Sequence, residues 1–180
     1  MQIIRILLFL LLAVSQLSAQ QQLADSIRKV LMQELPDTTR AYNLILLAMY
    51  TEPADLEKAH GLYREAVDFA VSRHLDYYAG LALYFEATPL ELSGKYQQQK
   101  ENLTRAAGFF EQSDHPHSRR DLALVSGGLS NYYRGLGKLD SAVMASLKSI
   151  AILEELQDHR RLSTQCQNLA MIYQELNLRE

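Results

Sequence analysis

The chain has no tryptophan, one cysteine and only four prolines among its 180 residues. The single cysteine, Cys166, cannot form an internal disulfide, so the fold must be held together by packing alone. The length and the 48% share of hydrophobic residues suit one domain of about four helical pairs. The composition therefore indicates an ordinary packed domain without a disulfide framework.

Clustered positive charge is also missing. The formal net charge is −3, and the only dense basic pairs, Arg119-Arg120 and Arg160-Arg161, lie beside acids at predicted helix starts. Binding to a phosphate backbone needs clustered lysine and arginine. We therefore expect no nucleic-acid partner.

The hydrophobic run at the start of the chain is too short to span a membrane. It covers Ile6 to Val14, nine residues, whereas a spanning helix needs about 20. Arg5 precedes the run, and a polar stretch ending in Leu17-Ser18-Ala19 follows it, which is typical of a secretory signal. We expect residues 1–19 to be a cleaved signal peptide and the protein to be periplasmic or secreted. An uncleaved membrane tether is the open alternative, because Leu17 is larger than signal peptidase prefers.

No constellation for catalysis or metal binding is evident in the sequence. His115 and His117 flank Pro116 and offer two imidazoles, but without a closed ligand set they are interpreted as part of a polar turn. Cys166 has no histidine near it in sequence and is interpreted as a buried structural thiol. We expect a protein that is not an enzyme, with no cofactor, no metal and no catalytic residue.

A pattern of small and aromatic residues recurs about every 40 positions. The clearest copy has Tyr133, Gly137, Ala142 and Ser149, and aligning Tyr133 on Tyr173 gives a period of 40. The corresponding residues of the other copies are Leu46, Tyr50, Ala59, Tyr63 and Ala66; Ala87, Leu90, Gly94, Tyr96, Leu103 and Ala106; and Leu169, Ala170 and Tyr173. Such a period predicts stacked helical pairs rather than a compact enzyme core.

Several residues predict where these helices begin and end. Gly94 and Gly137 lie between the two helices of a pair, where a positive φ lets the chain reverse. Asp140 and Ser141 are predicted to cap the next helix, and Ser118 and Asp121 to do the same for an earlier one. Pro89 falls inside a predicted helix and is expected to bend or end it.

This pattern resembles the tetratricopeptide repeat (TPR), in its long, 40-residue form found in kinesin light chains and bacterial sensory proteins. The resemblance implies an all-α fold, an α-solenoid of antiparallel helix pairs forming a right-handed superhelix. Residues 37–180 would form about three and a half repeats. Residues 20–36 would form an N-terminal capping helix, closed by Pro36, with an apolar stripe of Leu23, Ile27, Val30, Leu31 and Leu35.

The resemblance also implies a binding groove along the first helix of each pair. Carried onto this chain, it gives the candidate residues Leu81, Tyr84, Phe85, Leu124, Asn131, Arg134, Thr164, Gln167, Asn168, Met171 and Gln174. Asn131 and Asn168 match asparagines that hold a peptide backbone in chaperone-binding members, because a side-chain amide both donates and accepts. Helix capping or bridging is the alternative role for both. A lysine expected for gripping a terminal carboxylate is replaced by Gly127.

Two functions are consistent with these features. The first is an exported, non-catalytic protein that binds a peptide or protein in its groove. The second is the extracytoplasmic sensor of a histidine kinase or helix-turn-helix regulator, cut off before its membrane span. Leu169, Ile172, Tyr173 and Leu176 would leave an apolar face open at the last helix, which is a candidate surface for a homo-oligomer.

Overall fold

The computed structural model of the protein describes residues 19–177, and helices make up nearly all of this range. Residues 19–31 are helical and are labelled α1. The helices that follow are α2 (Asp37–Thr51), α3 (Leu56–Ser72), α4 (Asp76–Leu92), α5 (Tyr96–Gln112), α6 (Ser118–Gly135), α7 (Leu139–Glu155) and α8 (His159–Asn177). Apart from its last residue, the predicted signal peptide lies outside the described residues. No helix of the described range is both long and apolar enough to cross a membrane.

The helix starts repeat at the predicted interval. The first helices α2, α4, α6 and α8 begin at positions 37, 76, 118 and 159, which are 39, 42 and 41 residues apart. The second helices α3, α5 and α7 each have 17 residues. The intervals between the first helices agree with the predicted period of about 40 residues.

The described residues divide into two compact units, the first ending at Tyr78 and the second beginning at Ala79. In the first unit α2 packs against α3, and the small residues Ala41, Ala48, Ala59 and Ala66 are almost fully buried between long apolar side chains. Tyr63 is also fully buried, and its hydroxyl donates to a carboxylate oxygen of Glu52. The predicted Ala59, Tyr63 and Ala66 positions are therefore core positions.

Helix α1 differs from its prediction. It ends at residue 31, five positions before Pro36, and Pro36 instead stands directly before α2. Ala24 is its one fully buried residue, whereas Leu23 and Val30 of the predicted stripe are 46% and 36% exposed. The buried side of this helix is therefore narrower than the sequence pattern indicates.

In the second unit α6 packs against both α5 and α7, and α7 packs against α8. Small residues bring these helices close enough for hydroxyls to reach a neighbouring backbone. Ser130 Oγ donates to the carbonyl of Ala142 at 2.8 Å, and Ser149 Oγ donates to the carbonyl of Ala123 at 2.7 Å. Both serines are buried, so the small residues at these repeat positions set the helix spacing, as predicted.

Four of the helix-to-helix turns share one geometry. The second residue after the helix has a positive φ, as predicted for Gly94 (71°) and Gly137 (69°) and also found for His74 and Gln157 (both 54°). The N–H of Gly137 donates to the carbonyl of Arg134, and the N–H of Lys138 donates to the carbonyl of Tyr133, both at 2.9 Å. This is the Schellman arrangement, which satisfies the last carbonyls of a helix.

The helix caps predicted at Asp140 and Ser118 are wrong. Helix α7 begins at Leu139, so Asp140 lies in its first turn, and the residue before the helix, Lys138, makes no side-chain cap hydrogen bond. Ser118 likewise begins α6 and leaves its hydroxyl buried without a hydrogen bond to any described residue. The residue at the capping position of α7 is Lys138, whose ammonium group can only donate and so cannot accept a free N–H of the first turn.

Pro89 neither ends nor interrupts α4, which continues to Leu92. The proline is buried, and its own carbonyl accepts hydrogen bonds from the backbone N–H and the hydroxyl of Ser93, at 3.0 Å and 2.6 Å. One lost backbone bond is thus tolerated near the end of a packed helix. The residues after Pro89 therefore keep their place on the helix surface.

Helix α8 has one buried residue, Ile172, which packs with Leu139 and Ala142 of α7. Leu176 is partly buried in the same cluster, whereas Tyr173 is 46% exposed. The other side chains of this helix, up to residue 177, are either half-buried or exposed. Self-association through this helix stays a prediction.

Candidate functional site

Five of the predicted groove residues surround one cavity in the second unit. This cavity has a volume of about 320 Å³ and is bounded by Tyr84 of α4, Leu124 and Asn131 of α6, and Thr164 and Asn168 of α8. Its remaining wall is formed by Ala87, Thr88, Glu91, Gln99, Leu103, Gly127, Gly128 and Gln165. The first helices of three successive pairs therefore meet at one concave surface.

A second cavity of about 600 Å³ adjoins the first and shares Glu91, Asn131 and Asn168 with it. It adds the predicted residue Arg134, together with Gly135 and Glu175. We call the two cavities together the α4–α6–α8 groove. Its two asparagines stand where the cavities meet, so a ligand running along the groove would pass both.

The other predicted residues lie elsewhere. Leu81 is only 8% exposed and belongs to the core. Phe85 is half-buried, and its ring lies tilted against that of Tyr84 with 5.7 Å between centroids. Three more predicted residues are exposed on α8 and line neither cavity, namely Gln167, Met171 and Gln174.

The side chains of Asn131 and Asn168 form no hydrogen bond within residues 19–177. Other asparagines differ: Asn43 Nδ2 donates to the carbonyl of Thr39 at 2.8 Å, and Asn102 Nδ2 donates to Glu86 Oε2 at 2.7 Å. Capping or bridging, the alternative role, is thus not found for Asn131 and Asn168 in the described range. Their donors and acceptors face the groove unused.

Two glycines on α6 let neighbouring side chains pack closely in the groove wall. A Cβ at Gly127 would lie 2.4 Å from Gln165 Nε2, and a Cβ at Gly128 would lie 3.3 Å from Leu103 Cδ2. Gln165 Oε1 is buried and has no hydrogen-bond partner among the described residues. The absence of a side chain at Gly127 therefore makes room for the Gln165 amide in the groove wall.

Three charged residues line the groove, and two of them pair. Arg134 Nε donates to Glu175 Oε1 at 2.9 Å, with side chains 33% and 38% exposed. Glu91 Oε2 accepts a hydrogen bond from the neutral Gln99 amide at 2.9 Å. The pKa of the Tyr84 phenol is raised, mainly by burial and then by the nearby Asp121 carboxylate, although Arg161 opposes this. Tyr84 therefore stays a neutral hydroxyl at neutral pH.

Sequence reasoning missed Thr88, Glu91 and Glu175. In the repeat register Thr88 and Glu91 are equivalent to the predicted groove residues Asn131 and Arg134 of the next pair, but the expected break at Pro89 left them out. The repeat spacing could have found them, because α4 runs through the proline. Glu175 is equivalent to Gly135, which lines the second cavity as well.

The structure also places the residues weighed for chemistry. His115 and His117 stand in the turn before α6, with ring centroids 5.4 Å apart, and His115 Nδ1 accepts the backbone N–H of His117 at 3.3 Å. In the described part of the chain no three His, Cys, Asp or Glu residues are grouped to hold a metal. The prediction of a buried Cys166 is wrong, because its thiol is exposed on α8.

Comparison with solved structures identifies the fold. The chain superposes on BtubC (BKLC) from P. vanneervenii with a TM-score of 0.75 and 17% identity, covering 91% of this chain and 73% of that one. It also superposes on a candidate kinesin light chain from Podospora anserina with nearly identical TPR-like repeats, and on a single-substitution variant of that protein. Their TM-scores are 0.67 and 0.68, each at 17% identity over 91% of this chain and 82% of the other.

The chain has a TPR-type repeat fold, an all-α solenoid by class. No family model and no curated protein matches the sequence. At 17% identity the likeness establishes the architecture alone. The resemblance to long repeats of the kinesin light chain kind, predicted from the sequence, is confirmed at this level.

Proposed function

We propose that the chain is a non-catalytic TPR-like protein that binds an extended peptide, or an extended segment of a protein, in the α4–α6–α8 groove. The observation that carries this proposal is the pair of unused amides of Asn131 and Asn168 at the junction of two adjoining cavities. A peptide backbone offers alternating donors and acceptors, and a side-chain amide matches both.

The composition of the groove wall supports a peptide over a small molecule. Pockets for small molecules are mainly apolar and enclosed, whereas this wall carries hydroxyls, amides and a carboxylate over much of its length, from Thr88 and Glu91 to Thr164 and Gln165. The half-buried Leu124 and the edge of the buried Leu103 supply apolar surface to the same wall. This mixture suits a ligand that presents its backbone and a few apolar side chains.

The test is a double substitution with a matched control. Peptides selected from a random display library on the purified chain are titrated by fluorescence anisotropy against the wild type and against Asn131→Ala with Asn168→Ala. Two lost hydrogen bonds at about 0.5–1.5 kcal/mol each predict a roughly 5- to 150-fold weaker affinity. The melting temperature should stay unchanged, because neither amide has a hydrogen-bond partner among the described residues.

Asn43→Ala with Asn177→Ala is the control, since both asparagines lie outside the groove wall. This variant should bind the selected peptides as the wild type does. If the groove variant binds as tightly as the control, or if it loses affinity and melting temperature together, the groove is not the peptide site.

We further propose that the protein is exported, on the strength of the sequence features of residues 1–19 alone. Fractionation of the producing cells, with N-terminal sequencing of the recovered protein, tests this. A mature N-terminus near residue 20 in the periplasm or medium is the expected result. An intact Met1 in the cytoplasm would refute export.

A further inference from the structure

The charges of the α4–α6–α8 groove indicate what kind of peptide fits it. Among the described residues, three with charged side chains line the two cavities, namely Glu91, Arg134 and Glu175. The Arg134 guanidinium already pairs with the Glu175 carboxylate at 2.9 Å. The charge of Arg134 is therefore balanced by Glu175, and the arginine is a poor binding site for a further anion.

Glu91 is in a different situation. It is exposed, it lines both cavities, and within residues 19–177 it has no cation within ion-pair distance. The Gln99 amide at 2.9 Å orients the carboxylate but carries no charge, and Gln99 itself is 4% exposed and so held in place. The groove thus presents one oriented, uncompensated negative charge beside the two free asparagine amides.

Among the described residues, no unpaired cation lines the groove to receive a peptide carboxylate. The position at which a lysine would do so is Gly127, and a Cβ there would collide with the Gln165 amide at 2.4 Å. A terminal carboxylate would also meet the uncompensated Glu91, and like charges repel. The groove therefore disfavours a free C-terminus and acidic side chains.

We infer that the occupant is an internal, extended peptide segment carrying a lysine or arginine, whose side chain pairs with Glu91 while Asn131 and Asn168 hold its backbone. This inference rests on the proposed peptide-binding function and names the chemistry of its ligand. Because Glu91 lines both cavities together with Asn131 and Asn168, a cationic side chain leaving the backbone between the two amides would meet the carboxylate.

The experiment uses an array of random ten-residue peptides attached through their C-terminal ends, each made with a central lysine, glutamine or glutamate. The full chain is applied to the array, and the bound peptides are remade in solution, with an amidated C-terminus, for anisotropy titrations. We expect the order lysine, then glutamine, then glutamate. An exposed ion pair predicts a preference of about two- to fivefold at each step, reduced by added salt.

Glu91→Gln should remove the preference for lysine, and Glu91→Lys should reverse it in favour of glutamate. Glu101→Gln is the matched control. Glu101 is also exposed, accepts a hydrogen bond from a neutral glutamine amide at 2.9 Å, and lies outside the groove wall. The Glu101→Gln substitution removes the same net charge from the same unit as Glu91→Gln, and the preference for lysine should remain.

The outcomes separate this inference from the function on which it rests. Binding that depends on Asn131 and Asn168 but is equal for the three central residues, or strongest for glutamate, would overturn the inference and leave the peptide-binding function standing. A lysine preference that Glu101→Gln abolishes as fully as Glu91→Gln would also overturn it. Binding that ignores both asparagines, or no binding to the array, would overturn the proposed function and the inference together.

Discussion

Replacing Ala142 by leucine tests the packing that defines the repeat. Ala142 is fully buried on α7 beside Leu139 and Ile172, and its carbonyl accepts the Ser130 hydroxyl at 2.8 Å. A leucine would force three more carbon atoms into a site with 0% exposure. Overpacking of this kind costs about 1–3 kcal/mol. At about 2–4 °C per kcal/mol for a chain of this size, the melting temperature should fall by roughly 2–12 °C.

Thermal melting followed by circular dichroism, and a urea titration of the same samples, measure the effect. Ala151→Leu is the control, because Ala151 is exposed on the same helix and leucine is a good helix former there. Its melting temperature should equal that of the wild type or lie slightly above it. If Ala142→Leu melts no lower than Ala151→Leu, then α6, α7 and α8 do not meet at Ala142 and the repeat register is wrong.

Two further predictions concern the ends of helices. Gly137→Ala should lower the free energy of unfolding by about 1–2 kcal/mol, because a Cβ is strained at a φ of 69°. Gly108→Ala, inside α5, should instead raise it by about 0.5–1 kcal/mol, since that site is helical with open space around it. Equal urea midpoints for the two variants would contradict this. The pKa of Asp158 is lowered by hydrogen bonds from the Arg161 backbone N–H and then from its guanidinium. Because the pKa of Asp158 is lower in the folded protein than in the unfolded chain, its carboxylate stabilises the fold at pH values above the unfolded pKa of about 3.9. This stabilisation is lost as the pH falls through the lowered pKa of the folded protein. Asp158→Asn should therefore reduce stability at neutral pH and flatten its decline in acid, and urea midpoints across that range check it; an unchanged acid slope would contradict the reasoning.

The sequence predicted the parts of the fold that depend on packing repeated at a fixed interval. Ala142 and Ser149 are buried because each helix crossing needs a small residue at the same place. Gly94 and Gly137 have a positive φ because the first helix of a pair must reverse within two residues. Both requirements restrict which residue type can occupy a position, so they produce a pattern that can be recognised in the sequence alone.

The turns between pairs left no such pattern. His74 and Gln157 adopt a positive φ of 54° without being glycine, and their turns are closed by backbone hydrogen bonds, such as that from Asp158 N–H to the carbonyl of Leu153 at 3.0 Å. Since main-chain groups supply these bonds, many side chains fit the position. Asp140 does not cap α7 because the helix begins one residue earlier, at Leu139, and places Lys138 at the capping position.

The exposure of Cys166 shows where the repeat rule itself fails. Its register equivalents in earlier first helices, Leu83 and Ser126, are both 2% exposed. Cys166 and Tyr173 lie on a helix that packs against α7, and no described helix follows it to cover their side. The burial of a repeat position thus depends on whether helices pack against both sides of its own helix. The residue type at that position does not indicate whether both neighbouring helices are present.

The charge of the groove depends on pairing between repeats, which the sequence does not display. Arg134 is a candidate binding cation when the chain is read as a sequence, yet the structure joins it to Glu175, 41 residues away on α8. That pairing leaves Glu91, on the far side of Pro89, as the uncompensated charge. A proline removes only one backbone N–H from the helix, and α4 therefore continues past the buried Pro89 to Leu92. This continuation keeps Glu91 in the groove wall. The sign of the charge offered to a ligand therefore follows from two tertiary facts, the Arg134–Glu175 pair and the unbroken α4.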